Sequence, residues 1–255
     1  MRNVLTIWRK ELRSYFASPV AYLLLTMFAI IFGFFFWTIV TYFAKEGVES
    51  AVRGEMFPMN LNERVIRPLL ANAGVVGLFM IPLITMRLFA EEKRTGTIEL
   101  LVTSPIRDGE LILGKWLAAL TLYGGMLLLT ALNFIFVFKY GNPDWKPLAI
   151  GYLGLLLQAG AMLAIGMFIS TLTKNQIIAG AATFGVCLLL WVLGWAGGFE
   201  TATWAQVLSY ISVTTHNESF SKGVLDSKDA VYFVSLTFVG IFFTARSLES
   251  LRWRS

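Results

Sequence analysis

Apolar residues along this chain gather into long unbroken runs, and the charged residues collect between them. The runs cover roughly residues 20–43, 68–88, 111–138, 148–171, 177–199 and 230–245. A helix rises about 1.5 Å per residue, so crossing a bilayer core of about 30 Å takes about 20 residues. All six runs reach or approach that length, and none carries an ionised side chain near its middle. One such charge at a helix centre costs about 2.5–3.5 kcal/mol on insertion scales, so a carrier that relays ions must place it deliberately. The pattern predicts an all-α membrane protein with six transmembrane helices, forming a single domain over residues 1–255.

The segment ahead of the first run follows a different period. At about 100° per residue, Val4, Leu5, Trp8, Leu12, Tyr15 and Phe16 share an arc of about 120°. Arg2, Arg9, Lys10 and Arg13 fall beside that arc, while Ile7 and Glu11 are mild exceptions. This predicts an amphipathic elbow helix over residues 1–19, lying in the cytoplasmic interface on Trp8, Arg9, Lys10, Leu12, Arg13 and Phe16 and ended by Ser18-Pro19. The run that follows is longer than the roughly 7–15 apolar residues of a cleaved signal peptide and is expected to stay as a signal anchor.

Composition strengthens the membrane reading. Hydrophobic residues make up 56% of the 255 and charged residues 15%, more apolar side chain than a soluble domain of this size buries. The net charge of +5 is carried by cations at run ends, which fits a lipid surface rather than nucleic acid. With the N-terminus cytoplasmic, thirteen of the 21 Lys and Arg fall on the inner side and the remaining eight on the outer side. That bias predicts a multi-pass protein of the cytoplasmic (inner) membrane with both termini inside. Trp37, Tyr42, Tyr140, Trp145, Trp191, Trp195 and Trp204 then mark the outer boundary, and Tyr22, Trp116 and Trp253 the inner one.

Candidate chemistry is sparse. Gly109, Gly114 and Lys115 have the spacing of a phosphate-binding loop, but Trp116 stands where a Ser or Thr must hold magnesium, and an apolar helix opens there. Lys115 reads instead as the inner boundary of the third span. His216 is the sole histidine and Cys187 the sole cysteine, so neither a His-based metal cluster nor a disulfide framework is expected. A Ser-His-Asp triad would need partners that the spans do not offer. Catalytic and metal-ligating residues are expected to be absent. Asn217-Glu218-Ser219 has glycosylation spacing alone. Asn72, Asn133 and Gln158 are expected to hydrogen-bond between helices. Gly154, Gly160, Ala164, Gly166, Ala181 and Gly185 should let backbones approach closely, within the bundle or at a dimer seam. Residues 44–67 read as a polar outer loop or partner surface, and the apolar positions between 199 and 230 as short helices at the outer interface.

The most informative polar stretch runs from Arg87 to Pro105. Glu91, Glu92 and Lys93 extend the second helix, Gly96 permits a break, and Thr97 can cap a short helix bearing Ile98, Glu99, Leu100 and Leu101 ahead of Pro105. Such a helix presents an apolar surface in want of a partner. Glu91, Glu92, Lys93, Gly96, Thr97, Glu99, Leu101 and Pro105 resemble the loop between spans two and three in the permease subunits of type 2 ABC exporters. Residues 8–19 resemble that family's elbow helix, and residues 219–226 and 246–253 resemble its gliding-motility-associated branch.

The resemblance implies six spans, a permease dimer and two cytosolic ATPase subunits that bind ATP and magnesium. The loop helix, Leu100 included, would be the coupling helix seated in the ATPase. It also implies an auxiliary membrane protein with a large extracytoplasmic domain. The expected function is the transmembrane permease of an ATP-driven exporter, not catalytic alone. The alternative is a mechanical transmission or anchoring subunit that acts on an extracytoplasmic partner without moving solute.

Overall fold

The computed structural model describes residues 2–54, 60–98, 106–196 and 203–252, and among these residues it is helical with no strand. Helix α1 spans Arg2–Ala17 and α2 spans Pro19–Arg53. Ser18 separates them, its hydroxyl accepting the Val20 N–H at 3.4 Å, and Pro19 opens α2 where a missing N–H costs nothing. A π-helical turn, Asn62–Ile66, leads into α3, Arg67–Thr85, which contains Pro82. A short helix α4, Ala90–Thr95, follows. The remaining helices are α5 (Asp108–Tyr140), α6 (Trp145–Leu172), α7 (Gln176–Ala196), α8 (Thr203–Ile211), α9 (Val213–Ser221) and α10 (Ser227–Arg252). Six helical stretches are long and apolar enough to cross a membrane, in agreement with the six apolar runs.

Helix α2 outlasts its apolar run. Residues 44–53, expected in a polar loop, continue the helix because no breaker occurs before Gly54 and because Glu49 and Arg53 pair at 3.3 Å across one turn. Gly54 then ends the helix with φ 69°, a conformation glycine adopts without steric cost. Arg64 of the π-helical turn reaches back to Glu46 at 2.9 Å.

Helices α3 and α6 form the centre. In their most apolar windows 67% and 56% of residues are buried, against 17% in α2 and α7. The sequence of α6 permits this. A Cβ on Gly166 would stand 2.5 Å from the Thr85 hydroxyl of α3, and one on Gly240 of α10 would stand 2.7 Å from the Ala164 carbonyl carbon. Helix α6 is thus clasped between the Thr85 side chain of α3 and the backbone of α10, the packing expected where no hydrophobic force draws helices together in lipid. Gly154, Gly160, Ala164 and Gly166 are used inside the bundle, whereas Gly185 on α7 has nothing within 4 Å. Ile30 and Trp37 of α2, Ile177 of α7 and Phe238 of α10 remain exposed, apolar surface for lipid or another chain to cover.

Replacing Gly240 by Val should destabilise the protein by about 1–3 kcal/mol through overpacking against the α6 backbone, read as a lowered unfolding midpoint in detergent. Gly185→Val should change that midpoint by no more than about 0.5 kcal/mol.

Candidate functional site

At the end of the bundle that carries α1, charged and hydroxyl side chains from five helices meet around α4. The start of α4 explains why. The N–H groups that open a helix have no partner within it, and here those of Phe89 and Ala90 both donate to Ser170 Oγ of α6 at 3.0 Å. The same hydroxyl lies 3.5 Å from the Met86 carbonyl. One turn on, Lys93 Nζ donates to the Thr171 carbonyl, and the Thr171 hydroxyl donates to Ser247 Oγ of α10 at 2.8 Å. Arg87 grips both oxygens of Glu91, at 2.9 and 3.4 Å.

Lys115 lies at the centre. It is 2% exposed, and its ammonium contacts Glu92 Oε1 of α4 at 2.8 Å and Glu11 Oε1 of α1 at 3.1 Å. The Phe89 ring covers it at 5.2 Å, a favourable position for a desolvated cation. Glu92 Oε2 is buried with no hydrogen-bond partner, so part of this carboxylate's desolvation is left uncompensated. Lys115 is therefore more than the boundary marker its position in the sequence suggests: it ties the elbow helix to the loop. Its ammonium is committed to these two carboxylates.

Helix α1 is docked along α5. Asn3 donates to Glu110 Oε2 at 2.9 Å and Trp8 Nε1 to Thr121 Oγ1 at 2.9 Å. Ile7 sits so close to Gly114 that a Cβ there would be 2.7 Å from its Cγ2. Tyr15 is buried in the same face, and burial, then Glu11, pushes its phenol above the usual range. Trp8 and Leu12 are half-buried against the bundle, while Arg9, Lys10, Arg13 and Phe16 stay exposed. Ile7 and Glu11, the misfits of the helical projection, are thus the residues that meet Gly114 and Lys115.

Gly96 ends α4 with φ 74°. The Thr97 hydroxyl turns back to Thr95 Oγ1 at 2.9 Å and the Glu92 carbonyl at 3.5 Å, closing the helix behind it. Ile98, expected on an exposed face, is half-buried against the core. Glu99, Leu100, Leu101 and Pro105 lie outside the described residues.

At the opposite end, His216 has the partner that the spans seemed to lack. Its Nδ1 is 2.7 Å from Asp229 Oδ1 and its Nε2 is 2.8 Å from the Tyr210 carbonyl, with the Tyr232 ring stacked at 3.9 Å. The pair is buried and binds α9 to α10 and α8. No group of three or more His, Cys, Asp or Glu suited to a metal occurs among the described residues.

Residues 5–245 match the family described as ABC-2 family transporter protein. The chain is also similar to a protein named "Probable multidrug ABC transporter permease YbhR" in Escherichia coli strain K12 and in Escherichia coli O157:H7, each 24% identical over 163 residues. The aligned stretch covers 63% of this chain and 43% of those relatives.

Lys115→Met removes the cation paired with Glu92, leaving Glu11 only the 3.8 Å contact with exposed Lys10, and should destabilise the protein by about 3–5 kcal/mol. Adding Glu92→Gln should recover part of that loss. Unfolding in detergent, followed across the two variants, measures the coupling.

Proposed function

Because the chain belongs to the ABC-2 family of transporter proteins, which it matches over residues 5–245, we propose that it is the membrane permease of an ATP-driven exporter, moved by a separate cytosolic ATPase. ATP and magnesium would reside in that ATPase, and the connector from Glu91 to Pro105 would dock on it through a coupling helix. The observation that carries this reading is the anchorage of α4. It is held to α1 and α5 through Glu92 and Lys115, and to α6 and α10 through Ser170, Thr171 and Ser247. A displacement of α4 would reach four other helices through these contacts. The anchored end, with both termini, would face the cytoplasm of a cell whose inner membrane holds the protein.

A second copy of the chain would complete the permease. Between α2, α3 and α7 lies an apolar groove of about 840 Å³, lined by Met27, Phe35, Phe79, Ala181 and Phe184 among others. Such a face suits close approach of a symmetry mate. The multidrug designation of the similar relatives suggests apolar or amphipathic cargo. The resemblance of residues 219–226 and 246–253 to the gliding-associated branch supports an auxiliary partner with a large extracytoplasmic domain.

Copurification without crosslinking should recover an ATPase and, if the branch is right, that auxiliary protein. In the reconstituted complex, Gly96→Val and Glu99→Ala should reduce permease-dependent ATPase stimulation by about 5–150-fold, the range of a 1–3 kcal/mol coupling. Unchanged stimulation would remove the connector from the mechanism, and ATP hydrolysis by the purified chain alone would overturn the division of labour.

A further inference from the structure

Gln158 lies midway along α6, at the depth where an unmatched polar group costs most. It is 5% exposed, and its Oε1 has no hydrogen-bond partner. The Asn217 Oδ1 of α9 is buried in the same condition. Gly74 of α3 brings the two amides together: a Cβ there would stand 3.7 Å from Gln158 Oε1 and 3.8 Å from Asn217 Nδ2. Both amides line a cavity of about 390 Å³ between α3, α6, α7 and α9, within the range of about 300–1,000 Å³ usual for small-molecule sites.

The chemistry of the walls narrows the occupant. Each amide offers a donor and an acceptor, the complement of a hydroxyl group. Trp191 and Trp195, edge to face at 4.9 Å, add indole surface on the α7 side. Charge is confined to the half-exposed rim, where the Glu218 carboxylate is shared by Arg67 at 3.2 Å and Lys222 at 2.8 Å. An ionic ligand would have to displace those contacts, whereas a neutral one with several hydroxyls would hydrogen-bond the amides that line the cavity and lay its C–H face on the indoles.

We infer that Gln158 and Asn217 form a binding site for a small neutral polyhydroxyl solute of about sugar-ring size, entered past Arg67 and Trp195. The site is separate from the α4 anchorage, and its occupancy requires neither ATP nor an ATPase.

The intact protein in lipid nanodiscs, free of glycoside detergent, is titrated with glucose, myo-inositol or N-acetylglucosamine and followed by saturation-transfer NMR. Saturable binding is expected for at least one of the three. Gln158→Leu and Asn217→Leu should each weaken it by about threefold to tenfold, the loss of one neutral hydrogen bond. Gly74→Ala adds a methyl in ordinary van der Waals contact with its neighbours, should fold normally, and should also weaken binding by narrowing the space between the amides. The unfolding midpoint of Gln158→Leu should hold or rise, since an unsatisfied group has been removed. No saturable polyol binding, binding that ignores all three variants, or saturable binding of phosphate or acetate in place of polyols would each overturn the assignment.

Discussion

An ammonium group taken out of water must be matched by negative charge, and the end of the bundle that carries α1 is arranged around one such group. Lys115 enters the bundle on α5 and requires carboxylates within about 3 Å. One comes from α1 and the other from α4. Neither helix could be repositioned alone without stranding a buried charge, a loss of several kcal/mol. The ion pair therefore fixes where the elbow helix lies and how the connector leaves the second span.

A second constraint acts along the membrane normal. Lipid offers no hydrophobic drive for helix association, so contact must come from shape, and glycine provides it on both sides of α6, Gly166 toward α3 and Gly240 from α10. The same helix carries Gln158 toward the cavity and Ser170 and Thr171 toward α4. One helix thus supports features at two depths, and the close approach of Gly240 to Ala164 keeps it in register with α10.

Much of this was legible in the sequence and some was not. The six spans follow from run length, because lipid imposes a minimum that composition reveals directly. The break at Gly96 follows from its freedom at positive φ, and the end of α1 from Ser18-Pro19. The docking face of α1 was missed by about one step of the helical wheel: Leu5 and Phe16 point outward, and Ile7 and Glu11 point inward. Glu11 within an apolar arc and Lys115 just inside an apolar helix were the available signals. Each alone reads as an interface residue, since only tertiary contact shows that opposite charges 104 positions apart are partners. The same holds for His216 and Asp229, and for Gln158, where an expected interhelical bond at Oε1 is missing.

The way Ser170 completes the first turn of α4 bears on how the protein is made. Ribosomes deliver the second span and its connector well before the fourth. Until residue 170 has emerged and joined the bundle, the amides of Phe89 and Ala90 have nothing but water or translocation machinery to satisfy them. The first turn of α4 therefore matures late in synthesis, when the nascent chain is already committed to its membrane topology.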